Sequence, residues 1–159
     1  MADLAASKPA TDGELKIVTT LTSASAKRAA YNRDAVLSAS PARLLTMLYD
    51  RLMLDLARAE TAQQGAEWAV ASENLIHSQA IITELNLSLN TDKWDGAHGL
   101  KSLYSYVMTT LIDANISRDV NRTRECIALL EPVRQAWHEA AAQIPVPVPA
   151  AATGARGFA

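Results

Sequence analysis

From Ser40 to Ala142 the chain repeats one pattern four times: apolar residues spaced three and four apart, interrupted by short polar stretches. At about 100° of turn per residue that spacing lines one side of an α-helix, whereas a half-buried strand would alternate every second residue. No segment alternates in that way, and no Asn-Gly pair signals a hairpin. The first block has the clearest start. Ser40 can cap exposed amide groups, and Pro41 suits the first helical position, where an N–H would be unpaired anyway. Leu44, Leu45, Leu48, Leu52, Leu56 and Ala59 follow at helical spacing, and Gly65 is a natural stop. The second block runs from about Glu67 to Leu87, with Trp68, Ala71, Leu75, Ile82 and Leu85 on one face. A polar connection, Asn90 to Gly99, leads into a third block carrying Leu100, Leu103, Tyr104, Val107, Leu111 and Ala114. The fourth starts near Asp119, a good capping residue, and continues through Thr123, Ile127, Leu130 and Trp137 to about Ala142. Four helices of about 20 residues, each roughly 30 Å long, joined by short loops predict an all-α fold, an antiparallel up-down-up-down four-helix bundle. Pro132 is discordant, since it deprives the Ala128 carbonyl of its donor at a cost of about 3 kcal/mol if uncompensated. The apolar spacing continues across it, so the expectation is a kink within one helix.

With 49% hydrophobic and 20% charged residues in a chain of 159, there is material for one sizeable core, and global disorder is excluded. The formal charge is −2, and between Tyr31 and Ile144 there are 10 Lys/Arg against 14 Asp/Glu. A mildly acidic body of that kind argues against electrostatically driven nucleic-acid binding. Residues 1–30, rich in Ala, Ser and Thr, are read as a flexible N-terminal arm in which Leu15-Lys16-Ile17-Val18 is an isolated sticky patch. Residues 31–144 form the bundle domain. Residues 145–159 open with Pro145-Val146-Pro147-Val148-Pro149 and are read as an extended, disordered Pro/Ala-rich tail. The start of the chain lacks a cationic stretch followed by an apolar block, and the longest uncharged run, Ala140 to Ala155, is broken by three prolines. The expectation is a cytoplasmic protein without membrane insertion. A single cysteine, Cys126, excludes an intramolecular disulfide and fits a reducing compartment.

Chemistry is hard to assemble from these residues. A di-metal bundle site needs inward Glu residues and two Glu-x-x-His pairs. None of His77, His98 and His138 has a Glu three residues before it, and His138-Glu139 is followed by Ala140, Ala141 and Ala142 rather than by a second histidine. Cys126, beside Ile127 in a helical pattern, reads as a small core residue. With no Gly-rich phosphate loop and no nucleophile elbow, neither an enzyme, a metal site nor a cofactor is expected. Arg51 and Asp55, four apart, read as a plain helix-surface pair. Trp68 and Trp137 read as core or loop packing, and Trp94 lies in the polar connection.

What stands out is surplus apolar surface. Leu44, Leu45, Leu48, Tyr49, Leu52 and Leu56 fill a broad arc of the first helix, with Met47 and Leu54 on a second stripe away from it. On the third helix Met108, Ile112 and Ile116 run beside the main face, and Tyr106 points elsewhere. One core-facing stripe would not need these positions. Two readings remain open: a wide core arc with ordinary exposed apolar residues, or a groove that accepts a partner's amphipathic segment.

The order of several short blocks is more specific. Tyr31-Asn32-Arg33-Asp34-Ala35-Val36 leads into Ser38-Ala39-Ser40-Pro41 and Leu44-Leu45-Thr46-Met47-Leu48-Tyr49-Asp50. Later come Leu103-Tyr104-Ser105-Tyr106-Val107, Leu111-Ile112-Asp113-Ala114-Asn115, Asp119 and Arg134-Gln135-Ala136-Trp137. From about Tyr31 to Ala141 the chain resembles the flagellar secretion chaperone family FliS. The resemblance implies a cytoplasmic export chaperone that binds the disordered C-terminal segment of flagellin, prevents premature polymerisation and delivers the subunit to a protein of the flagellar type III export gate. By motif it places the flagellin-binding surface at Leu44, Leu48, Tyr49, Leu52, Tyr104, Val107, Met108, Leu111, Ala114 and Asn115. It makes Tyr31 an N-terminal cap of the groove or an export-gate contact. Ser105 stands where the family usually carries an acidic residue, and Trp94-Asp95-Gly96-Ala97 replaces its Gly-Gly-Glu type of start to the third helix. The alternatives are a helical-bundle adaptor for a different protein partner, or a structural homodimer that buries its apolar stripes against a second copy.

Overall fold

Five helices account for the regular structure in a computed structural model that describes residues 24–34 and 39–145. Helix α1 covers residues 24–34 and belongs to a separate unit, Met1–Ser40. Part of the expected arm is therefore helical. Ala24, Ala26, Ala29 and Ala30 with Lys27 and Arg28 explain this locally, because alanine and long straight side chains lose little freedom in a helix. The rest of the arm, including Leu15–Val18, and the tail from residue 146 lie outside the described residues.

The second unit, Pro41–Ala159, holds α2 (Pro41–Gln64), α3 (Trp68–Ser88), α4 (Gly96–Ile116) and α5 (Val120–Ala142). Each helix packs on its neighbour in the chain, and α5 returns to α2, so the four form a closed antiparallel ring. The starts follow local chemistry. Helix α2 begins at Pro41, and the Asp119 carboxylate accepts from the Asn121 N–H at 2.9 Å at the start of α5. Helix α2 stops at Gln64, directly before Gly65 as expected, but the left-handed residue of the turn is the next one. Ala66, at φ 56°, adopts the left-handed conformation rather than Gly65. The Ala66 N–H donates to the Gln63 carbonyl (3.1 Å) and the Glu67 N–H to the Ala62 carbonyl (2.8 Å), which closes a Schellman turn.

Helix α5 runs through Pro132 as one element. Pro132 is exposed, so the carbonyl its ring leaves without a donor faces water rather than the core. In the α3–α4 connection the Asn90 side chain accepts from the Asp92 N–H at 3.1 Å. Trp94 then lies so close to Gly96 that a Cβ there would stand 2.2 Å from its ring, which only glycine permits. The same indole meets Trp137 edge-on, with centroids 6.1 Å apart.

The interior is formed by Tyr49, Leu52, Leu56, Leu75, Ile82 and Leu85 from α2 and α3, and by Tyr104, Val107, Leu111, Cys126 and Leu130 from α4 and α5. Burial raises the Cys126 thiol to about 12, with Glu125 adding to the effect, so it stays a protonated core residue. No helix among the described residues is long and apolar enough to cross a membrane.

Candidate interaction surface

Ten residues were expected on a partner-facing surface, and the bundle divides them. Tyr49, Leu52, Tyr104, Val107, Leu111 and Ala114 are at most 2% exposed. They belong to the core, because each helix of a four-helix ring turns its richest apolar stripe inward, although Tyr104 and Ala114 also back the two depressions described below. The Tyr49 and Tyr104 hydroxyls bond to each other inside the core. Burial raises both phenols above their ordinary range, so they remain neutral donors and acceptors. Leu44, Leu48, Met108 and Asn115 keep part of their surface accessible. Tyr31, in α1, is 75% exposed.

The accessible apolar surface lies mainly on α3 and α4. Ile112 and Ile116 are 41% and 79% exposed and continue from Met108 at four-residue spacing. Across from them on α3, Ile76 and Leu87 are 56% and 76% exposed, eleven residues and three turns apart on one face. Leu87 was not singled out in the sequence, where it reads as the last apolar position of its helix.

Two depressions sit along this face. One, about 310 Å³, is lined by Ile82, Thr83, Asn86, Leu87, Tyr104 and Met108. The Asn86 Oδ1 is buried and meets no donor among the described residues. The other, about 220 Å³, lies between the end of α2, the start of α3 and the end of α4, lined by Trp68, Leu75, Ala114, Asn115, Ile116 and Arg118 among others. From Ser72, beside this cleft, to Leu87, beside the first groove, is fifteen residues of α3, roughly 22 Å.

The polar groups elsewhere are absorbed by structure. Asp55 is fully buried, not a surface partner of Arg51 alone. It accepts from Arg51 Nε at 3.0 and 3.2 Å and pairs with His77 Nδ1 from α3. On the α2–α5 side, Asp50 takes Arg134 Nε and His138 Nε2, each at 2.8 Å. Burial alone would raise the Asp50 carboxyl, but His138 and Arg134 outweigh it and hold it below the usual carboxylate value. Among the described residues no three His, Cys, Asp or Glu side chains gather where they would hold a metal ion.

Set against known proteins, residues 23–144 match the model of the family described as flagellar protein FliS. The chain is 32% identical over 111 residues to the flagellar secretion chaperone FliS of Bacillus subtilis, covering 70% of this chain and 83% of that one. To its counterpart from Escherichia coli it is 34% identical over 108 residues, covering 67% and 79%. A solved bacterial flagellar chaperone superposes with a TM-score of 0.59 at 19% identity, over 72% of this chain and 96% of that one, which speaks to the fold.

Proposed function

The chain belongs to the FliS family of flagellar secretion chaperones, and from that premise we propose that it binds the C-terminal segment of flagellin in the cytoplasm, keeps it from polymerising and hands it to the export gate. The family is one of chaperones, not of enzymes. The observation that carries the reading is the apolar surface of α3 and α4, where Leu87 and Met108 line one depression, Ile116 lines the other, and Ile76 and Ile112 are exposed. An amphipathic segment laid along this face covers isoleucine and leucine side chains at about 1.5–3 kcal/mol each when fully buried. Ordering a disordered client returns much of that gain, which keeps the complex reversible enough for hand-over. A client N–H reaching Asn86 Oδ1 would give that buried oxygen the donor it lacks.

The accessible part of the expected surface, Met108 and Asn115 on α4, lies on this face, while Leu44 and Leu48 on α2 lie outside it. Tyr31 remains the candidate cap or gate contact.

The reading is tested by calorimetric titration with the organism's flagellin, intact and lacking its C-terminal segment, against wild type and Leu87→Asp/Ile112→Asp. Binding confined to intact flagellin and lost in the folded double variant is the expected result. Equal binding of both flagellins moves recognition elsewhere on the subunit. A double variant that binds as wild type does sinks the α3–α4 placement. If no heat is seen with either flagellin and the chain sediments as a dimer, the structural homodimer takes its place.

A further inference from the structure

Resting on the client reading above, we propose that the cleft at the α4–α5 turn is a clamp for the free α-carboxylate that ends the bound client, with Arg118 as its cationic jaw. The cleft lies at one end of the apolar face of α3 and α4, and its volume of about 220 Å³ suits the last residue or two of a chain rather than a segment passing through. The surface it presents is mainly polar, with Gln63, Ser72, Asn115 and Arg118 among its lining residues and the fully buried Leu75 and Ala114 behind them. Arg118 is the one charged residue among those lining it.

Arg118, like Arg58 of α2, differs from four other arginines of the bundle in holding no carboxylate among the described residues. Those four are Arg51, Arg122, Arg124 and Arg134. The Arg118 guanidinium lies over the Trp68 ring, 5.1 Å from the centroid. Stacking of that kind uses the flat face of the group and leaves the N–H donors along its edge free. A fork of parallel N–H donors beside an amide side chain matches the two oxygens of a carboxylate.

The backbone at Arg118 is left-handed. Arg118 follows the cap of α4 at φ 55°, a conformation that suits glycine and strains an L-residue by about 1–2 kcal/mol. The turn itself is closed by main-chain bonds, Ser117 N–H to Asp113 carbonyl (2.9 Å) and Asp119 N–H to Ala114 carbonyl (3.2 Å), which glycine would make equally well. Ala66 takes the same conformation at φ 56° with only a methyl group, so the turn by itself does not account for the arginine. A staple of the turn onto Trp68 would account for the stacking, but not for a cation left unpaired among the residues that line the cleft.

A synthetic peptide of the flagellin C-terminal segment, made as the free acid and as the C-terminal carboxamide, separates the two roles by fluorescence anisotropy. Wild type is expected to bind the carboxamide about tenfold more weakly, which corresponds to about 1.4 kcal/mol. Arg118→Gln should lose the same factor for the free acid and no longer distinguish the two peptides, with its urea midpoint near that of wild type. Equal binding of acid and carboxamide by wild type overturns the clamp and leaves the client reading standing. So does an Arg118→Gln variant that still prefers the acid. Failure of both peptides to bind overturns clamp and client reading together.

Discussion

Gln63 is the polar keystone of the end of the bundle that carries this cleft, and its worth is measurable. The side chain is 5% exposed and joins three helices. Its Nε2 donates to the Ala114 carbonyl of α4 at 3.2 Å, and its Oε1 accepts from the Thr123 hydroxyl of α5 at 2.7 Å. Thr123→Val keeps the shape of a fully buried side chain but strips Oε1 of its donor. Gln63→Leu leaves the Thr123 hydroxyl without its acceptor, while the Ala114 carbonyl keeps the Asp119 N–H. Each single change isolates one buried polar group and should cost about 1–3 kcal/mol. In the double variant both groups are replaced by apolar ones of similar shape, which is nearly neutral. The double variant should therefore be less destabilised than the sum of the singles by at least about 1 kcal/mol. Urea denaturation followed by circular dichroism reads this directly. With a slope of about 1–3 kcal/mol per molar urea, each single change lowers the midpoint by roughly 1 M, and the double restores much of it. Losses that add to within about 0.5 kcal/mol would refute the account, because the two side chains would then not be acting on each other.

Three other outcomes follow from single residues. Ala66→Gly should raise stability by about 0.5–1 kcal/mol, the relief of left-handed strain less glycine's greater entropy when unfolded; an unchanged or lower urea midpoint counts against the Schellman assignment. The Asp50 carboxyl is depressed in the folded state, so the stability it contributes is present above its ordinary value of 3.8 and is lost as pH falls below it. Asp50→Asn should therefore lower the melting temperature slightly at neutral pH, with the difference closing in that acid range; a difference that grows as pH falls below 3.8 contradicts the sign. Gly96→Ala should push the Trp94 ring off the start of α4 and away from Trp137, and acrylamide quenching of tryptophan fluorescence should rise. Unchanged quenching would mean that the ring does not rest there.

How far the chain could be read in advance differs between the fold and the site. Helix limits were legible because they depend on neighbours in sequence: Ser40-Pro41 and Asp119 start α2 and α5 where local hydrogen bonding demands. The left-handed residue after α2 was not, because Gly65 and Ala66 are adjacent and only the closing main-chain bonds decide which of them takes that conformation. Asp55 reads as a surface partner of Arg51 four residues away, and nothing local reveals that His77, on another helix, covers its other side. Tyr49, Leu52, Tyr104, Val107, Leu111 and Ala114 were placed on the docking surface by family resemblance, while their spacing alone left a core stripe and a groove both open. Apolar periodicity states that a face is buried without saying whether the bundle or a partner buries it. Val107→Asp would therefore place a charge in the core and unfold the domain, whereas Leu87 and Ile112 can be charged without loss of packing.

Helix α5 also sets the order in which the bundle comes apart. It has three buried residues, against eight in α2 and six in each of α3 and α4. Its hold on α2 includes exposed ion pairs, Asp50 with Arg134 and Glu60 with Arg124, which contribute little individually. Local opening takes the least protected element first. Cys126 sits on that element with its thiol wholly enclosed, and a thiol held near 12 is inert at neutral pH until the helix lifts. The chain thus carries its own clock for subglobal unfolding. The rate at which a thiol reagent consumes Cys126 under native conditions reports how often α5 leaves the other three helices, and a bound client that braces the ring should slow it.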